Sequence, residues 1–543
     1  MLIRKLTVYV AAALCTACTL QQPEQGRSAS AASQIQDASQ QCSTLKNIKL
    51  YDTTIMQAQW VNAGKLPRDD AAALTGSSTE TADTEYPAHC LLEGEIEKRT
   101  GADGKPYHIG FQMRLPESWN GKFLFQGGGT DGFIATAVGS IPTSGATAAP
   151  ALKRGYAVAS MDGGHQGMDV SFGTDQLARV NFAYAATGKV TTTAKQIISS
   201  LYQKSPQYSY FMGCSNGGRE AMMAAMRYPQ EFDGIVAGNS GFRLSKAAMG
   251  EAWDSQHFLA AAPKNSKGER IVANALTDDD LNAVAEGIKN RCDAKDGLAD
   301  GIINAWENCD FKPEMVQEKI GVEKVKLLNA VFGGAKNSRG ELIYNSWPYD
   351  AGINTPGWRM WKIGTSQTAE PNAINFTLGA GSLPNYFMTP HSPTFSVLNF
   401  DFDRDPAKTM QIGGINNADS TDLGTFAVRG GKMVVFEGVS DPVFSAHDLR
   451  DWYLQLQQDT PNARDSVRLF NVPGMTHCGG GNALDNFDPL TALENWREKG
   501  RAPEHMVATG KAFPGKSQPV CAYPKAAVYV KGDENRAESF ECR

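Results

Sequence analysis

The residues best suited to do chemistry lie between a strand-like and a helix-like segment. Gly213-Cys214-Ser215-Asn216-Gly217 follows an aromatic, apolar run and precedes a stretch typical of a helix. Gly-x-Ser-x-Gly in that setting predicts a sharp strand-to-helix turn that exposes the serine hydroxyl. Glycines flank the turn because side chains there would collide across it. We therefore predict Ser215 as a nucleophile, although a surface loop can carry the same five-residue pattern.

A nucleophilic serine needs a base, and an acid that orients the base. His477 follows the apolar run 467–476 and begins a glycine-rich loop, and Asp441 lies in the segment 431–442, which is interpreted as a buried strand that ends in a turn. The order serine, acid, histidine is that of α/β-hydrolases. Taken singly, Asp441 could be a helix cap and His477 an ordinary loop histidine. Together with Ser215 they predict a catalytic triad, whereas His165 precedes the serine and is interpreted as structural.

Two cysteines flank the predicted triad. Cys214 immediately precedes the serine and Cys478 immediately follows the histidine. If Ser215 and His477 touch, the two cysteines are also close, and a disulfide between them would pin the triad. It would close a very long loop, which is worth about 5 kcal/mol in the chain-entropy model. The alternative is a pair of buried free thiols.

An acyl-transfer serine also needs an oxyanion hole, in which N–H groups stabilise the negative oxygen of the transition state. One predicted donor is the backbone N–H of Asn216, directly after the nucleophile. The second is expected from the glycine-rich segment 125–132, and Gly128 is the candidate. The alternative, a phosphate-binding loop, is disfavoured because the segment lacks the Lys-Ser/Thr ending of a P-loop.

The chain resembles the tannase/feruloyl esterase family of α/β-hydrolases, and within that family the mono(2-hydroxyethyl) terephthalate hydrolases. The resemblance extends from about Cys42 to the end of the chain. Besides the elbow, Asp441 and His477-Cys478, it is carried by the motifs Trp119–Phe123, Met161–His165, Tyr228-Pro229, Phe232–Gly238 and Phe400–Asp403. It implies an α/β-hydrolase core and a serine esterase that acts on aromatic carboxylic esters, such as feruloyl, galloyl or terephthalate half-esters.

Eight of the ten cysteines remain after Cys15 and Cys18 of the amino-terminal segment are set aside. Short separations favour two of the pairs, but the sequence by itself leaves the connectivity open. The resemblance implies four disulfides: Cys42–Cys90, Cys214–Cys478, Cys292–Cys309 and Cys521–Cys542.

Alternating strand and helix patterns predict an α/β fold with a mostly parallel sheet covered on both faces. The candidate strands are 122–128, 156–161, 208–213, 234–238, 433–438 and 466–472. The alternation breaks between residues 242 and 421, a segment too long for a loop. We interpret residues 42–241 and 422–543 as the two parts of the core, and residues 242–421 as an inserted lid domain.

The lid contains three aspartates interleaved with glycines, in the segment 292–303. Carboxylate and carbonyl oxygens are the ligands that calcium prefers. The alternative is a solvated Asp-Gly turn that binds no ion. The resemblance implies a structural calcium site formed by the carboxylates of Asp293, Asp296 and Asp300 and the carbonyls of Leu298 and Ile302. No organic cofactor is expected.

Two aromatic residues are candidates for a substrate clamp. The resemblance implies that Trp361 of the lid and Phe444, three residues after Asp441, face the substrate; the alternative is core packing. The terephthalate half-ester hydrolases carry a lid arginine that binds the substrate carboxylate. Here the matching position is Ile374 or Asn375, and the run 363–400 holds no lysine or arginine. Arg359 is interpreted as structural, so neutral esters are expected to be accepted at least as well as anionic ones.

The amino-terminal residues 1–18 combine two positive charges with a short apolar run, a pattern typical of a secretory signal. Cys18 could be the lipid-modified cysteine of a bacterial lipoprotein, and ordinary cleavage is the alternative. Residues 19–41 are rich in Gln, Ser and Ala and are predicted to form a flexible tether. The protein is therefore expected to be exported, and to be periplasmic, anchored to the outer membrane or secreted.

Composition limits the function classes. The chain has 543 residues, 41% of them hydrophobic, which is typical of a globular protein. The net charge is −6 and no basic block occurs, so nucleic acid is not an expected partner. The sequence implies a small-molecule ester substrate and no protein partner. Two further readings stay open: another serine hydrolase of the same fold, such as a peptidase or a general carboxylesterase, and a non-catalytic surface binding protein.

Overall fold

The computed structural model describes residues 31–67, 84–128 and 132–543. The predicted signal segment, Cys18 and the tether residues 19–30 lie outside the described residues. The rest of the predicted tether differs from expectation, because a helix, α1, spans Ala31–Thr44. Alanine and glutamine favour a helix there, and Cys42 near its end is bonded to Cys90 of the sheet.

A nine-stranded mixed sheet forms the core, in the order β1-β4-β5-β7-β6-β8-β9-β10-β11. Strands β6 to β11 run parallel to their neighbours, and β1, β4 and β5 add an antiparallel edge. The strand bounds are β1 Thr53–Val61, β2 Gly64–Lys65, β3 Glu85–Tyr86, β4 His89–Thr100, β5 Pro106–Pro116, β6 Lys122–Gln126, β7 Ala157–Met161, β8 Tyr208–Cys214, β9 Gly234–Gly238, β10 Lys432–Gly438, β11 Val467–Val472, β12 His505–Thr509, β13 Ser517–Cys521, β14 Ala527–Tyr529 and β15 Phe540–Cys542.

The six strands expected from the sequence are the six parallel strands of this sheet. The antiparallel edge was not predicted. Side chains alternate between the two faces, as a strand requires: Phe123 and Phe125 of β6 belong to one hydrophobic cluster and Leu124 belongs to another. Both clusters also contain helix residues, so helices cover both faces of the sheet.

The helices lie between and after these strands. Besides α1, they are α2 Gln176–Val180, α3 Ala186–Tyr202, α4 Asn216–Arg227, α5 Leu244–Ala261, α6 Asp278–Cys292, α7 Gln317–Ile320, α8 Val322–Phe332, α9 Pro356–Lys362, α10 Pro406–Asn416, α11 Gly424–Val428, α12 Ala446–Asp459 and α13 Pro489–Lys499. Three π-helical turns occur at Asn181–Ala185, Asn375–Ala380 and Leu383–Phe387. None of the helices in the described part of the chain is long and apolar enough to cross a membrane.

The segment between β9 and β10 is helical and includes α5 to α11. Much of it packs around a hydrophobic cluster of its own, which includes Leu281, Ile288, Leu328 and Trp358. That cluster extends to Val443 and Phe444, just after β10. The inserted segment therefore rests on the carboxyl end of the parallel strands, where the candidate triad residues lie. We call residues 242–421 the lid.

Candidate active site

Ser215 lies at a strained turn between β8 and α4. Its backbone has φ 61° and ψ −124°, a conformation that residues other than glycine rarely adopt. The turn brings the chain close to itself: a Cβ atom at Gly213 would lie 2.6 Å from the carbonyl oxygen of Gly217, and one at Gly217 would lie 2.7 Å from the carbonyl carbon of Gly127. Both glycines are therefore required for the turn that presents the serine hydroxyl.

The structure brings Ser215, His477 and Asp441 together from three strand ends. The Nε2 atom of His477 lies 2.9 Å from the Oγ atom of Ser215, and its Nδ1 atom lies 2.9 Å from Oδ2 of Asp441. Ser215 follows β8, Asp441 follows β10 and His477 follows β11. The carboxyl ends of these strands meet at one edge of the parallel sheet. The imidazole can take a proton from the serine while the carboxylate stabilises its charged form.

Hydrogen bonds keep the carboxyl group of Asp441 ionised in a buried position. Asn239 donates from Nδ2 to Oδ2 at 2.8 Å, and the backbone N–H of Val443 donates to Oδ1 at 2.7 Å. Burial alone would raise the pKa of Asp441. The positive charge of His477, together with hydrogen bonds from His477, Asn239 and Val443, outweighs burial and lowers the pKa. Asp441 is thus suited to orient His477 as an anion.

All four predicted disulfides are present. The Cys214–Cys478 bridge joins the residue before the serine to the residue after the histidine, with 6.0 Å between the Cα atoms. Cys478 has a positive φ of 57°, which holds the loop after His477 in a restricted conformation. The bridge therefore fixes the two loops that carry the nucleophile and the base.

The predicted oxyanion donors have different outcomes. Asn216 is the first residue of α4, so its backbone N–H has no acceptor within the helix. The prediction for Gly128 is wrong in this structure, because its N–H donates to Oε2 of Glu220 at 3.0 Å. The carboxyl group of Glu220 also accepts from the side chain of Asn216 at 3.2 Å. A buried carboxyl group at α4 thus takes the N–H that was expected to face the substrate.

Glu220 and Arg219 form a buried polar network under the turn. The guanidinium group of Arg219 donates to Oδ1 of Asn216 and to three backbone carbonyl oxygens, those of Ala183, Asn416 and Phe182. Burial raises the pKa of Glu220 to about 7, and the charge of Arg219 and the N–H groups oppose this rise. The network holds the side chain of Asn216 beneath the turn, so that its backbone N–H is free to face the site.

Ser215 opens on a mostly apolar cavity. The core contributes Asn216, Val443 and Phe444 to its wall, and residues 170–185 contribute Phe172 and Phe182. The lid contributes the other side, including Leu244, Glu251, Trp361, Leu378, Tyr386 and Phe387. A cavity with mostly apolar and aromatic walls and few polar groups is typical of a site for a small organic molecule.

The two predicted clamp residues lie beside the histidine. The ring centroid of Trp361 is 4.8 Å from that of His477, and that of Phe444 is 5.4 Å away. Both aromatic residues line the cavity. They are therefore placed to contact a substrate and to shield the imidazole from water.

Neither Ile374 nor Asn375, the two positions predicted to match the half-ester hydrolases' arginine, is among the residues that line the cavity. Asn375 is buried, and its Nδ2 atom donates to the carbonyl oxygen of Pro442 at 2.9 Å. The guanidinium group of Arg359 donates to the carbonyl oxygens of Leu276 and Ala273, which agrees with its interpretation as structural. No lysine or arginine is among the described residues that line the cavity.

His165 also lies near the cavity. Its Nδ1 atom is 3.2 Å from the carbonyl oxygen of Gly167, and its ring stacks on Phe172 with 4.2 Å between centroids. Because Phe172 lines the cavity, His165 supports the wall of the site, as expected of a structural residue.

The aspartates of the predicted calcium site lie in one loop after α6. The carboxyl groups of Asp293, Asp296 and Asp300 accept hydrogen bonds from the loop N–H groups of Gly301, Asn304 and Ile302 respectively. They do not form a cluster with metal-ligating geometry, and none is found elsewhere in the described residues. Asp300 also accepts from Lys516 and Gln518 at 2.7 Å each.

Two of these aspartates nevertheless have carboxyl groups that a cation would stabilise. Oδ1 of Asp293 is buried without a hydrogen-bond donor, and burial raises the pKa of Asp296 to about 7. A cation would stabilise both carboxyl groups. Calcium in this loop stays a prediction, which the buried Oδ1 atom of Asp293 supports, whereas Asp300 already has Lys516 as its counter-ion.

Several residues at the site were not identified from the sequence. Asn239, which follows β9, contacts Asp441; Glu220 holds the loop at Gly128; Glu251, Tyr386 and Phe172 line the cavity. Asn239 had a signal, since it follows an apolar strand run at the sheet edge that carries the triad. The others come from helices or irregular segments, and only their packing places them here.

Known proteins support the same assignment. The family model described as tannase and feruloyl esterase matches residues 94–543. The chain is 37% identical, over 531 residues and 87% of each chain, to a mono(2-hydroxyethyl) terephthalate hydrolase from Piscinibacter sakaiensis.

Solved structures share the fold. Feruloyl esterase B from Aspergillus oryzae superposes with a TM-score of 0.76, 22% sequence identity and coverage of 93% of this chain and 100% of that one. Tannin acyl hydrolase from Aspergillus niger superposes with a TM-score of 0.68, 18% identity and coverage of 92% of both. These similarities confirm the α/β-hydrolase fold. By its sequence, fold and the arrangement at Ser215, the chain belongs to the tannase and feruloyl esterase family and is a carboxylic ester hydrolase.

Proposed function

We propose that this protein is an exported serine esterase that hydrolyses esters of aromatic carboxylic acids through an acyl-enzyme on Ser215. The observation that carries the proposal is the contact of His477 Nε2 with Ser215 Oγ, at 2.9 Å, at the floor of an aromatic-lined cavity. Its apolar and aromatic walls suit the ring of a substituted benzoyl or cinnamoyl group. Relatives named as hydrolases of such esters add support.

The first half of the reaction forms the acyl-enzyme. The Oγ atom of Ser215 attacks the ester carbonyl carbon while His477 Nε2 accepts the hydroxyl proton. The carbonyl oxygen becomes negative and accepts a hydrogen bond from the backbone N–H of Asn216. The C–O bond to the alcohol then breaks, and His477 returns the proton to the departing oxygen.

The second half releases the acid. Water enters where the alcohol left, gives a proton to His477 and attacks the acyl carbon. The tetrahedral intermediate collapses, Ser215 regains its proton from His477, and the carboxylic acid departs. Asp441 stays ionised through both halves and stabilises the imidazolium that forms in each.

Within this class, we propose that neutral aromatic esters are hydrolysed at least as efficiently as the anionic terephthalate half-ester. The described cavity lining includes Glu251 but no lysine or arginine. Binding a carboxylate in an apolar cavity without a cation is costly. Feruloyl and galloyl esters avoid this cost, because their rings carry neutral substituents.

Calcium is proposed as a structural ion of the lid. Asp293, Asp296 and Asp300, with the carbonyl oxygens of Leu298 and Ile302, would hold it. Support comes from the partnerless Oδ1 atom of Asp293 and the raised pKa of Asp296. When bound, the ion would supply positive charge that holds the loop together, and it takes no part in ester hydrolysis.

Export is proposed because the protein has four disulfides. Disulfides form and persist in oxidising compartments such as the periplasm and the extracellular space. A lipid anchor at Cys18 and ordinary signal cleavage are the two routes to that location. Mass spectrometry of the mature amino terminus distinguishes them.

The proposal is tested with a panel of methyl ferulate, methyl gallate, chlorogenate and the terephthalate half-ester, assayed side by side. We expect hydrolysis of the aromatic esters, stoichiometric labelling of Ser215 by a fluorophosphonate, and kcat/KM values for the neutral methyl esters no lower than that for the half-ester. A clear preference for the half-ester that Arg359→Ala abolishes would overturn the charge preference. Absence of hydrolysis across the panel, with full labelling of Ser215, would overturn the substrate class.

A further inference from the structure

A carboxyl group lies in the wall of the active-site cavity without a role in the reaction above. Glu251 is on α5 of the lid and is 3% exposed. Its side chain lines the same cavity as Ser215, Trp361 and Phe444. A buried acid facing an otherwise apolar cavity is unusual, because burying a polar group without a partner is destabilising.

No hydrogen bond to the carboxyl group of Glu251 is found in the described part of the chain; burial and the charges of neighbouring groups act on it. The nearby cation, Lys362, is already engaged: its Nζ atom lies 2.6 Å from Oδ2 of Asp254 and 3.2 Å from the carbonyl oxygen of Pro442. The carboxyl group of Glu251 is therefore available to form hydrogen bonds with a molecule in the cavity.

Burial raises the pKa of Glu251 well above its ordinary value; the charge of Lys362 opposes the rise, and those of Asp254 and Asp441 add to it. Burial thus favours the protonated form of the group over the carboxylate. A neutral acid has one O–H donor and a carbonyl acceptor, which together match a hydroxyl group.

The side chain of Glu251 fits against the lid backbone at Gly379, where no side chain is present. A Cβ atom at Gly379 would lie 1.6 Å from Oε2 of Glu251. The carboxyl group thus sits directly on the backbone of the π-helical turn Asn375–Ala380. Any side chain at 379 would displace it, so the Gly379–Glu251 pair defines this part of the cavity wall.

The other polar side chains of the lid wall are engaged with the protein. The hydroxyl of Tyr386 donates to Oδ1 of Asn416 at 2.8 Å, and that of Ser382 donates to the carbonyl oxygen of Gly379 at 2.6 Å. Glu251 is therefore the lid residue best able to recognise a polar substituent on a bound ring.

We propose that Glu251 is a specificity-determining residue that binds a phenolic hydroxyl on the aromatic ring of the acyl group. The hydroxyl donates to the carbonyl oxygen of the acid and accepts from its O–H. A carboxylate at the same place would be a third acidic group beside Asp254 and Asp441, and the nearby cation Lys362 is already paired with Asp254. This inference rests on the proposed function, since it concerns the acyl group of an aromatic ester.

The test compares a matched pair of substrates, methyl 4-hydroxycinnamate and methyl cinnamate, which differ only in the phenolic hydroxyl. The readout is the ratio of their kcat/KM values. In the wild-type protein the ratio favours the phenol. Glu251→Leu removes the hydrogen bonds and is expected to lower the ratio by about 10-fold, as the loss of a hydrogen bond of ~1.4 kcal/mol would. Glu251→Gln keeps a donor and an acceptor and retains most of the preference.

Gly379→Ala provides an independent route to the same result. Its methyl group displaces the Glu251 carboxyl without changing Glu251, so the ratio falls as in Glu251→Leu. Thr377→Ala is the control: Thr377 is exposed on the same π-helical turn and does not line the cavity, so the ratio stays as in the wild type.

The outcomes separate this inference from the proposed function. If the wild-type protein hydrolyses neither ester, the proposed function fails. If it hydrolyses both and the ratio is the same in the wild type, Glu251→Leu and Gly379→Ala, the role of Glu251 is wrong and the esterase assignment stands. Hydrolysis of methyl cinnamate by each variant shows that it has folded; if Glu251→Leu does not fold, the Gly379→Ala ratio decides.

Discussion

Cys214 and Cys478 are bonded across 264 residues of sequence, and each adjoins a residue of the candidate triad. The bond holds Ser215 and His477 on loops that otherwise meet only through their side chains. Its position explains why a disulfide, usually a device for stability, is expected to matter for the chemistry.

Replacing both cysteines of this bridge by alanine should lower turnover strongly and reduce the melting temperature. The loop it closes is long, and the chain-entropy model gives about 5 kcal/mol. Cys521→Ala/Cys542→Ala is the matched control: this bridge closes a separation of 21 residues in the tail, so it should affect stability with little loss of turnover. Two titratable thiols in the unreduced native protein would show that the active-site bridge is absent.

Ser215→Ala should abolish ester hydrolysis and fluorophosphonate labelling while the fold is kept. Ser215 is the residue whose Oγ contacts His477. Alanine keeps the Cβ atom, so the substitution leaves the strain of this turn unchanged and removes only the hydroxyl. Circular dichroism and the melting temperature check the fold. Activity near the wild-type level would remove Ser215 from the mechanism.

Asn239→Ala should lower kcat by about 10-fold to 100-fold with little change in KM. The substitution removes the Nδ2 donor on Asp441, and a hydrogen bond to a charged group contributes about 1.5–3 kcal/mol. Asn329→Ala, exposed on α8, is the control and should leave both constants unchanged. A variant with wild-type kcat would show that Asn239 does not position the acid.

Glu220 should make the protein less stable as the pH rises from about 4.5 to about 7. Its pKa is raised from 4.5 to about 7 by burial, so the folded state holds a proton that the unfolded state releases. The stability this contributes is present below pH 4.5 and is lost as the pH rises through 7.

The comparison variant is Glu220→Gln, which does not titrate. Its free energy of unfolding relative to the wild type should therefore increase by about 3 kcal/mol between pH 4.5 and pH 8. Urea unfolding of both proteins at both pH values measures this difference in the free energy of unfolding. The contributions of the other titrating groups are the same in the two proteins and cancel. Equal differences at the two pH values would contradict the raised pKa of Glu220.

Chelation should lower the melting temperature if calcium occupies the lid loop. EGTA is expected to destabilise the wild-type protein, because Asp293 and Asp296 would lose their counter-ion. Asp293→Asn should be less stable than the wild type in calcium and insensitive to EGTA. Unchanged melting of the metal-free wild type would mean that the loop holds no structural calcium.

The sequence by itself determined the centre of the site. The turn at Ser215 requires Gly213 and Gly217 next to it, and Asp441 and His477 each follow an apolar run that predicts a buried strand. Parallel strands end at one edge of a sheet, so the chain order of these residues was enough to bring them together. Six strands and four disulfides followed from the same kind of local pattern and from the family resemblance.

Tertiary structure decided what lines the site and which backbone groups are free. Gly128 has the right place in the sequence for an oxyanion donor, yet a carboxyl group from the neighbouring helix takes its N–H. Glu251 and Gly379 are far apart in the chain, and no local pattern shows that one fits against the other. Such contacts depend on how the lid packs on the core. Local sequence encodes turns and strands, whereas the packing of separate segments is fixed only when their side chains fill one common space.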